Sequence, residues 1–271
     1  MSKKSKGAVK NFIESTYLFI IFLFLYLPVV VLMVYSFNAS KSRGVWKGFT
    51  FDWYRQLLEN ESIMSSLYTT LICGFLAALV ATVIGSMAAY GIAKAKSKSS
   101  FILSVAYVPM LNAEIVTGVS LMLLFTLFGL ELGFFTMLLS HITFCIPYVI
   151  LAVLPKARQL DWSLYDAAQD LGCTPMRSFW KIMFPELLPG ILTGFLLSLT
   201  MSIDDFIISF FTTGNGVNNL SIEIYTMAKR GIKPEINALS TIMFAVILAI
   251  LIIANVGAAK KDNNKKRSVR I

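Results

Sequence analysis

Six long apolar stretches constrain this chain more than any other feature. Each has about twenty residues or more and is therefore able to cross the hydrocarbon core of a bilayer. They occupy residues 17–37, 67–93, 101–130, 134–155, 187–211 and 237–259. No Lys or Arg lies within them, and only 14% of all residues are charged against 56% that are hydrophobic. The chain is therefore predicted to be an all-α polytopic membrane protein with six transmembrane helices.

The basic residues predict an orientation for these helices. The first apolar stretch exceeds the roughly 7 to 15 residues of a cleavable signal, so it is expected to be retained. With a cytoplasmic N-terminus, most of the 24 Lys and Arg residues fall on the inner side, which the positive-inside rule requires. We expect a cytoplasmic N-terminus at 1–16, a membrane domain at 17–259 and a cytoplasmic tail at 260–271. The net charge of +9 then reflects topology and anionic lipid, and it does not indicate nucleic-acid binding.

The inner loop 156–186 carries signals for two short helices. Ser163 stands three residues before Asp166 in a pattern like a capping box, and Gly172 can supply the left-handed residue that stops a helix. A second helix is expected to follow and to end before Pro185. One face of the first helix is apolar and suits a groove on another protein, through Leu164, Ala167, Ala168 and Leu171.

The same loop contains a spaced motif, DAA-x3-G-x9-I-x-F-P. Its positions are Asp166, Ala167, Ala168, Gly172, Ile182 and Pro185. This motif resembles the EAA motif of ABC-importer permeases, with Asp166 where Glu is usual and Phe184 where Leu is usual. The resemblance implies that the first helix is a coupling helix that docks in a cleft of a cytoplasmic ATPase. The alternative is an ordinary helical hairpin at the membrane interface, which would depend on no partner.

Three further stretches, 38–50, 140–147 and 202–206, are similar to the C-type permease subunit of spermidine/putrescine importers. The resemblance implies a type I ABC importer permease fold in a bacterial plasma membrane. It also implies a second homologous permease, two ATPase subunits that bind ATP and Mg²⁺, and an extracytoplasmic substrate-binding protein. The chain has no GxxxxGK[ST] phosphate loop, so it is predicted to bind no cofactor itself and not to be an enzyme.

Three carboxylates lie inside the predicted spans: Glu114, Asp204 and Asp205. An ionised acid near the bilayer centre costs about 2.5 to 3.5 kcal/mol even on the lenient insertion scale. Because these spans contain no Lys or Arg, a partner subunit, cavity water, protonation or a cationic ligand must offset this cost. A polyamine would meet such acids with its ammonium groups and would lay its methylenes on aromatic surface, which Tyr107 could supply.

The resemblance carries over a set of residues that would touch substrate in transit, namely Trp53, Glu114, Ser202, Asp204 and Asp205. On the fifth predicted helix, polar residues recur on one face at helical spacing, which suits a water-filled pathway: Ser198, Ser202, Asp205 and Ser209. Two structural alternatives stay open. Asp204 could cap a break in this helix, and Trp53 could be an interface anchor.

The remaining chemistry-bearing residues predict little. His141 is the only histidine and is expected to be a packed, hydrogen-bonded imidazole. Three cysteines without CxxC spacing indicate neither a disulfide framework nor a metal site, and no catalytic residue is predicted. Pro109 and Pro147 are expected to kink or open their helices. Two alternatives to polyamine import are a permease for another small organic solute and a stand-alone proton-coupled transporter or channel.

Overall fold

A computed structural model describes residues 3–40, 45–95, 99–230, 234–246 and 248–249. Across these residues the regular secondary structure is helical, joined by turns and loops and with a single isolated bridge. The helices are α1 (Lys3–Ser36), α2 (Asp52–Glu59), α3 (Glu61–Lys94), α4 (Ser99–Leu111), α5 (Glu114–Leu127), α6 (Phe134–Arg158), α7 (Trp162–Asp170), α8 (Pro175–Ser178), α9 (Phe184–Asp204), α10 (Ile207–Thr212), α11 (Leu220–Arg230) and α12 (234–246). Two compact units result: Met1–Glu61 with Thr226–Ile271, and Ser62–Tyr225.

In the first unit, the segment between α1 and α2 is organised around Asn38. The side-chain oxygen of Asn38 accepts hydrogen bonds from the backbone N–H groups of Ser40 and Lys47, and its amide donates to the Val45 carbonyl. The Trp53 indole donates to the Asn38 carbonyl at 2.7 Å. This network buries Trp53, whereas the apolar side chains along α1 stay largely exposed.

The second unit is built on close packing of α3, α6 and α9. A Cβ added at Gly85 of α3 would lie 2.7 Å from the Val149 side chain of α6, and one added at Gly194 of α9 would lie 3.2 Å from it. Small residues at these crossings let the helix backbones approach, which is how membrane helices gain packing energy. The buried core lies along these contacts and includes Ala81, Cys145, Val149, Val153 and Leu187.

Within the described residues, four helices are long and apolar enough to cross a membrane: Glu14–Ser36, Glu61–Lys94, Phe134–Arg158 and Pro175–Asp204. The first, second and fourth predicted spans are therefore confirmed as helices, and α6 stays one helix through Pro147.

Two predicted spans are interrupted, and the third opens close to Pro109, where a kink or opening was expected. The third bends by 98° between Leu111 and Glu114, just after Pro109, which has no N–H for the helical ladder. The fifth stops at Asp204 and restarts at Ile207. The sixth predicted span, 237–259, lies largely outside the described residues, although 234–246 is helical.

The loop 156–186 also departs from expectation at two points. The side chain that caps α7 is Asp161, which accepts the Ser163 N–H at 3.0 Å, so Ser163 is not the N-cap. The second helix does not end before Pro185. Instead a π turn at Phe179–Met183 joins α8 to α9, with the Phe184 N–H bonded to the Phe179 carbonyl. The widened turn keeps the helix continuous into a residue that cannot donate a hydrogen bond.

Gly172 stops α7 as predicted. Its φ is 86°, in the left-handed region that favours glycine. The Gly172 N–H bonds to the Gln169 carbonyl and the Cys173 N–H to the Ala168 carbonyl. This pair of bonds is a Schellman motif, which satisfies the last carbonyls of the helix.

Candidate functional site

The two helix interruptions of the second unit meet each other. A Cβ at Gly118 of α5 would lie 3.1 Å from the Phe211 ring and 3.4 Å from the Ile208 Cα of α10. Helix α5 therefore packs directly against the backbone of α10. The bend between α4 and α5 and the break between α9 and α10 are consequently neighbours, and both expose backbone ends in the middle of apolar sequence.

A cavity of about 220 Å³ lies at this junction. Its walls come from the α4–α5 bend, from α6 and from α10, through Pro109, Met110, Asn112, Ala113, Glu114, Thr117, Phe144, Tyr148 and Ile208. Aromatic and apolar side chains supply part of the surface, and Glu114 supplies a carboxylate beside the polar side chains of Asn112 and Thr117. Small-molecule sites commonly combine an apolar wall with a few polar groups in this way.

Glu114 opens α5 and is exposed. Its position in the first turn places the side chain at the N-terminal end of the helix. Among the described residues, no side chain or backbone group donates a hydrogen bond to this carboxylate. Its oxygens therefore keep their hydrogen-bonding capacity for another group.

Asp204 and Tyr107 occupy different settings. Asp204 is the last residue of α9 and is exposed, so its carboxylate sits at the negative end of a helix, where a cation is favoured. Tyr107 is half-buried on α4, and it does not contribute to the wall of the cavity at Glu114.

Ser202 and Asp205 lie in a different place, a buried polar cluster that we call the imidazole clasp: His141, Ser202, Asp205 and Ser209. The His141 Nδ1 hydrogen-bonds the Ser202 hydroxyl, and its Nε2 lies 2.8 Å from the Ser209 hydroxyl and 3.4 Å from the Asp205 carboxylate. Only 2% of His141 and 8% of Asp205 is exposed. The predicted contact of Ser202 and Asp205 with substrate therefore stays a prediction.

Asp205 also caps α10. One carboxylate oxygen accepts the Ile208 N–H at 3.2 Å, and the other accepts the Ser209 N–H and hydroxyl, each at 2.8 Å. The alternative that Asp204 caps a break in this helix was wrong, because the neighbouring Asp205 is the capping residue. The break exists, and the following acid satisfies the free amides of the next helix.

The prediction that His141 is a packed, hydrogen-bonded imidazole is confirmed. Its place beside Asp205 was not predicted, because the search for a basic neighbour of the intramembrane acids covered Lys and Arg alone. The signal was present in two facts: one histidine occurs in an apolar span, and Ser202, Asp205 and Ser209 share a helical face. The pairing of His141 with Asp205 could not be predicted from these facts, because α6 and α9 are far apart along the chain.

Trp53 belongs to the first unit, where its side chain is 5% exposed and bonded to Asn38. In this conformation it is an anchor for the segment between α1 and α2. Trp53 does not line the cavity at Glu114, and its contact with substrate stays a prediction.

The predicted coupling loop presents a free surface. No residue of α7 is buried, and Leu164 and Leu171 are 50% and 88% exposed. Asp166 and Ala167 are exposed and Ala168 is half-buried. Ile182 is half-buried and Pro185 exposed, both beyond the turn at Gly172.

The opposite side of α7 is held by aromatic contacts. The Trp162 ring lies 5.4 Å from Tyr90 of α3, which in turn packs edge-on against Phe179 of the π turn. At the start of the helix, hydrogen bonds from Ser163 lower the pKa of Asp161, so the cap is ionised near neutral pH. Helix α7 is thus firmly attached on one side and open on the other.

Across the described residues, no group of three or more His, Cys, Asp or Glu side chains is arranged to hold a metal ion. The chemistry of the region is that of carboxylates, hydroxyls and one imidazole.

Comparison with known proteins places this geometry among transport proteins. The family described as "Binding-protein-dependent transport system inner membrane component" matches residues 81–260. The spermidine/putrescine transport system permease protein PotC of Haemophilus influenzae is 33% identical over 93% of this chain and 98% of its own length. PotC of Escherichia coli K12 is 36% identical over 92% and 95%, and the putrescine transport system permease protein PotI of the same strain is 34% identical over 92% of each.

Solved structures agree in fold at low sequence identity. A bacterial ABC transporter involved in the import of the acidic polysaccharide alginate has a TM-score of 0.71 at 14% identity, covering 96% of this chain and 98% of its own. The MetNI methionine ABC transporter in an inward-facing conformation has a TM-score of 0.57 at 16% identity, covering 78% of this chain and 98% of its own.

Proposed function

The chain belongs to the family of binding-protein-dependent transport system inner membrane components, and we propose that it is the permease subunit of an ATP-driven importer of spermidine, putrescine or both. Its relatives along nearly the whole length are spermidine/putrescine and putrescine permeases. The chain is a transport protein and not an enzyme.

In the proposed assembly this chain supplies half of the translocation pathway in a bacterial plasma membrane. A second homologous permease supplies the other half, two cytoplasmic ATPases bind ATP with Mg²⁺, and an extracytoplasmic protein delivers the cargo. We place six spans within 17–259 and both termini, 1–16 and 260–271, in the cytoplasm. The distribution of basic residues and the exposed apolar surface of α1 support this arrangement.

The cargo argument rests on one observation: the Glu114 carboxylate lines a cavity that also has aromatic walls, and it receives no hydrogen bond from the described residues. An ammonium group would supply charge-assisted hydrogen bonds there. The rings of Phe144 and Tyr148 would receive the methylenes and would favour a cation over their faces. Asp204, exposed at the negative end of α9, offers a second carboxylate for a cargo with more than one ammonium group.

The other predicted pathway residues would contribute differently in this conformation. Ser202 and Asp205 act from within the imidazole clasp and Trp53 acts as an anchor, because all three are buried. Tyr107 lies on α4, one turn before the bend, where its ring could meet cargo that leaves the cavity.

The fold alone does not choose this cargo. A transporter of an acidic polysaccharide shares it, and a carrier of anions is expected to place Arg, Lys or helix N-termini in its pathway. Here the described cavity lining contains no Arg or Lys, and the helix N-terminus beside it, that of α5, carries the Glu114 carboxylate. This charge is what favours a cationic solute over another small organic solute.

We further propose that α7 is the coupling helix. Asp166, Ala167 and Ala168 would lie against the ATPase, since α7 has no buried residue and small alanines permit close approach. Gly172 ends this helix, and Ile182 and Pro185 would fix the direction in which the chain re-enters the membrane.

The cargo proposal is tested by uptake of labelled putrescine and spermidine in cells that lack their own polyamine uptake. Glu114→Gln is expected to lower uptake per assembled transporter by about tenfold or more, because one charge-assisted contact contributes about 1.5 to 3 kcal/mol. Glu131→Gln, an exposed acid outside the cavity, is the matched control. Unchanged uptake in Glu114→Gln, or no polyamine uptake by the unaltered importer, would contradict the proposal.

Coupling is tested at Gly172, where two substitutions differ only in their tolerance of the left-handed backbone. Asn adopts it readily and a β-branched residue does not. Gly172→Val is expected to lose ATP-dependent uptake at equal membrane abundance, and Gly172→Asn to keep most of it. Uptake that persists without the ATPase and follows a proton gradient would favour the stand-alone transporter instead.

A further inference from the structure

The cavity at Glu114 and the imidazole clasp share their walls. The Phe144 ring lines the cavity and meets the His141 ring edge-on, with centroids 5.5 Å apart. Ile208 also lines the cavity, and its backbone N–H is held by the Asp205 carboxylate. Two of the cavity walls are therefore attached directly to clasp residues.

The imidazole contacts two consecutive helices between which the helical hydrogen-bond ladder is interrupted. Its Nδ1 meets Ser202 on α9 and its Nε2 meets Ser209 on α10. Between these helices, Asp205 is extended with a ψ of 126°, so the helical hydrogen-bond ladder is interrupted. A ring with both nitrogens engaged thus replaces the missing ladder as the link across the break.

The far end of α10 is fixed to the same helix that carries His141. The Thr136 hydroxyl of α6 donates to the Thr212 carbonyl at 2.8 Å. Beyond it, the left-handed Gly214 packs so closely that a Cβ would lie 2.5 Å from the Leu132 carbonyl oxygen. Helix α10 is therefore held to α6 at two places. Thr136 bonds its last residue, Thr212, and His141 bonds Ser209 nearer its start.

We propose that His141 is a positioning residue for the substrate cavity, holding α10 against α6 so that Phe144 and Ile208 keep the cavity at Glu114 open to cargo. The proposal rests on the proposed function for its effect on transport. It assigns His141 no contact with cargo, because the ring is buried and its nitrogens are occupied. Its effect on transport comes from the positions of Phe144 and Ile208, which line the cavity.

Three substitutions of His141 separate the contribution of its bond to Ser202 from that of its bond to Ser209. An Asn amide can replace the near ring nitrogen that meets Ser202, and a Gln amide can replace the far nitrogen that meets Ser209. Phe fills the same space with no hydrogen bond. Since α10 is reached through Ser209, His141→Gln is expected to retain function, His141→Asn to lose much of it and His141→Phe to lose most.

The first readout is polyamine uptake by the reconstituted importer with its binding protein in excess, expressed per assembled transporter. His141→Phe is expected to lower Vmax by about tenfold or more, since displacements near 1 Å in a site cost up to about 100-fold, while KM stays within about twofold of the unaltered importer. Rescue by His141→Gln supports the proposal. Equal loss in Gln, Asn and Phe variants would overturn it.

The second readout needs no transport. Thr117→Cys places a thiol on the cavity wall, and Thr126→Cys, on the same helix and exposed, is the matched control. Both are made with Cys173→Ser, since the two other cysteines are buried. Reaction with a small cationic thiol reagent is expected to change at position 117 by about fivefold or more in His141→Phe, and to stay constant at position 126.

The outcomes separate this inference from the proposed function. Failure of the unaltered importer to take up polyamines would remove the cargo proposal, while labelling at position 117 would still decide the role of His141. Unchanged labelling in His141→Phe would overturn the inference. Equal changes at both positions would also overturn it, because His141 would then support the fold in general.

Discussion

Two acids occupy the two helix interruptions of the second unit, and they are treated in opposite ways. Asp205, at the α9–α10 break, is buried and receives bonds from two backbone N–H groups and the Ser209 hydroxyl, with His141 beside it. Glu114, at the α4–α5 bend, is exposed on a cavity wall. A carboxylate in apolar sequence can thus be satisfied within the chain or left available to a ligand.

This difference explains why sequence position alone does not identify a cargo-binding acid. Both carboxylates occur in stretches without Lys or Arg, and both lie at a helix N-terminus or cap. Their hydrogen-bonding partners distinguish them. The acid with a full set of protein donors holds the fold, and the acid without them is the one we assign to cargo.

The strongest test of this comparison is Asp205→Asn. We expect it to lower the free energy of unfolding by about 3 kcal/mol, because an amide places a donor against the Ser209 N–H and leaves His141 without its carboxylate. Thermal unfolding of the assembled complex measures the loss. Glu114→Gln should change stability by no more than about 0.5 kcal/mol, and a larger loss for Glu114→Gln than for Asp205→Asn would break the comparison.

A smaller effect is expected from Ser209→Ala. The variant loses one hydroxyl that donates to Asp205 and contacts His141, while the backbone cap remains, so about 1 kcal/mol of stability should be lost. Thr126→Val is the control, because the Thr126 hydroxyl bonds only its own helix in an exposed position. A loss as large as that of Asp205→Asn would mean that the hydroxyl, and not the carboxylate, organises the clasp.

Asp204→Asn sharpens the comparison by separating stability from transport. A negative charge at the last residue of α9 opposes the helix dipole, so removing it should stabilise the fold by about 0.5 kcal/mol. Uptake per assembled transporter should nevertheless fall, since one carboxylate of the pathway is lost. Unfolding temperature and uptake are measured on the same preparation. Reduced stability together with unchanged uptake would contradict the assignment of Asp204.

The smallest effect concerns Asp161, an exposed acid that caps α7. Hydrogen bonds from Ser163 lower the pKa of Asp161, so its capping contribution is fully present above the ordinary range for an aspartate. The contribution is lost as the pH falls through the lowered pKa. Hydrogen exchange at the Ser163 amide should accelerate relative to the intrinsic rate only in that acidic window. In Asp161→Ala this pH step should be absent.

The sequence predicted the elements whose signals are local. Long apolar runs identified α1, α3 and α6, and Gly172 marked the end of α7, because hydropathy and left-handed glycine act within one or two turns. Asp161 was missed as the cap of α7 since Ser163 offered an equally plausible pattern two residues later. Pro185 suggested a helix end because a π turn has no simple sequence signature.

The exact places of the interruptions, and the clasp, could not be predicted in the same way. Apolar residues flank Asn112 and the acid pair 204–205 on both sides, so hydropathy reports one span where the backbone changes direction. His141 meets Ser202 and Ser209 only after α6 packs against α9 and α10, at separations of 61 and 68 residues. Such pairings are set by the packing of glycines and alanines between helices, which a single sequence does not reveal.

The π turn at Phe179–Met183 has a consequence for everything that follows it. One extra residue in a helical turn rotates all later side chains by about 100° around the helix axis. Deleting a single residue within 179–183 would therefore leave the length of the membrane helix nearly intact but turn its serine-bearing side away from the histidine. The rotation of α9 about its own axis is thus fixed at its N-terminal end. This end lies beside the loop proposed to receive the force of ATP binding.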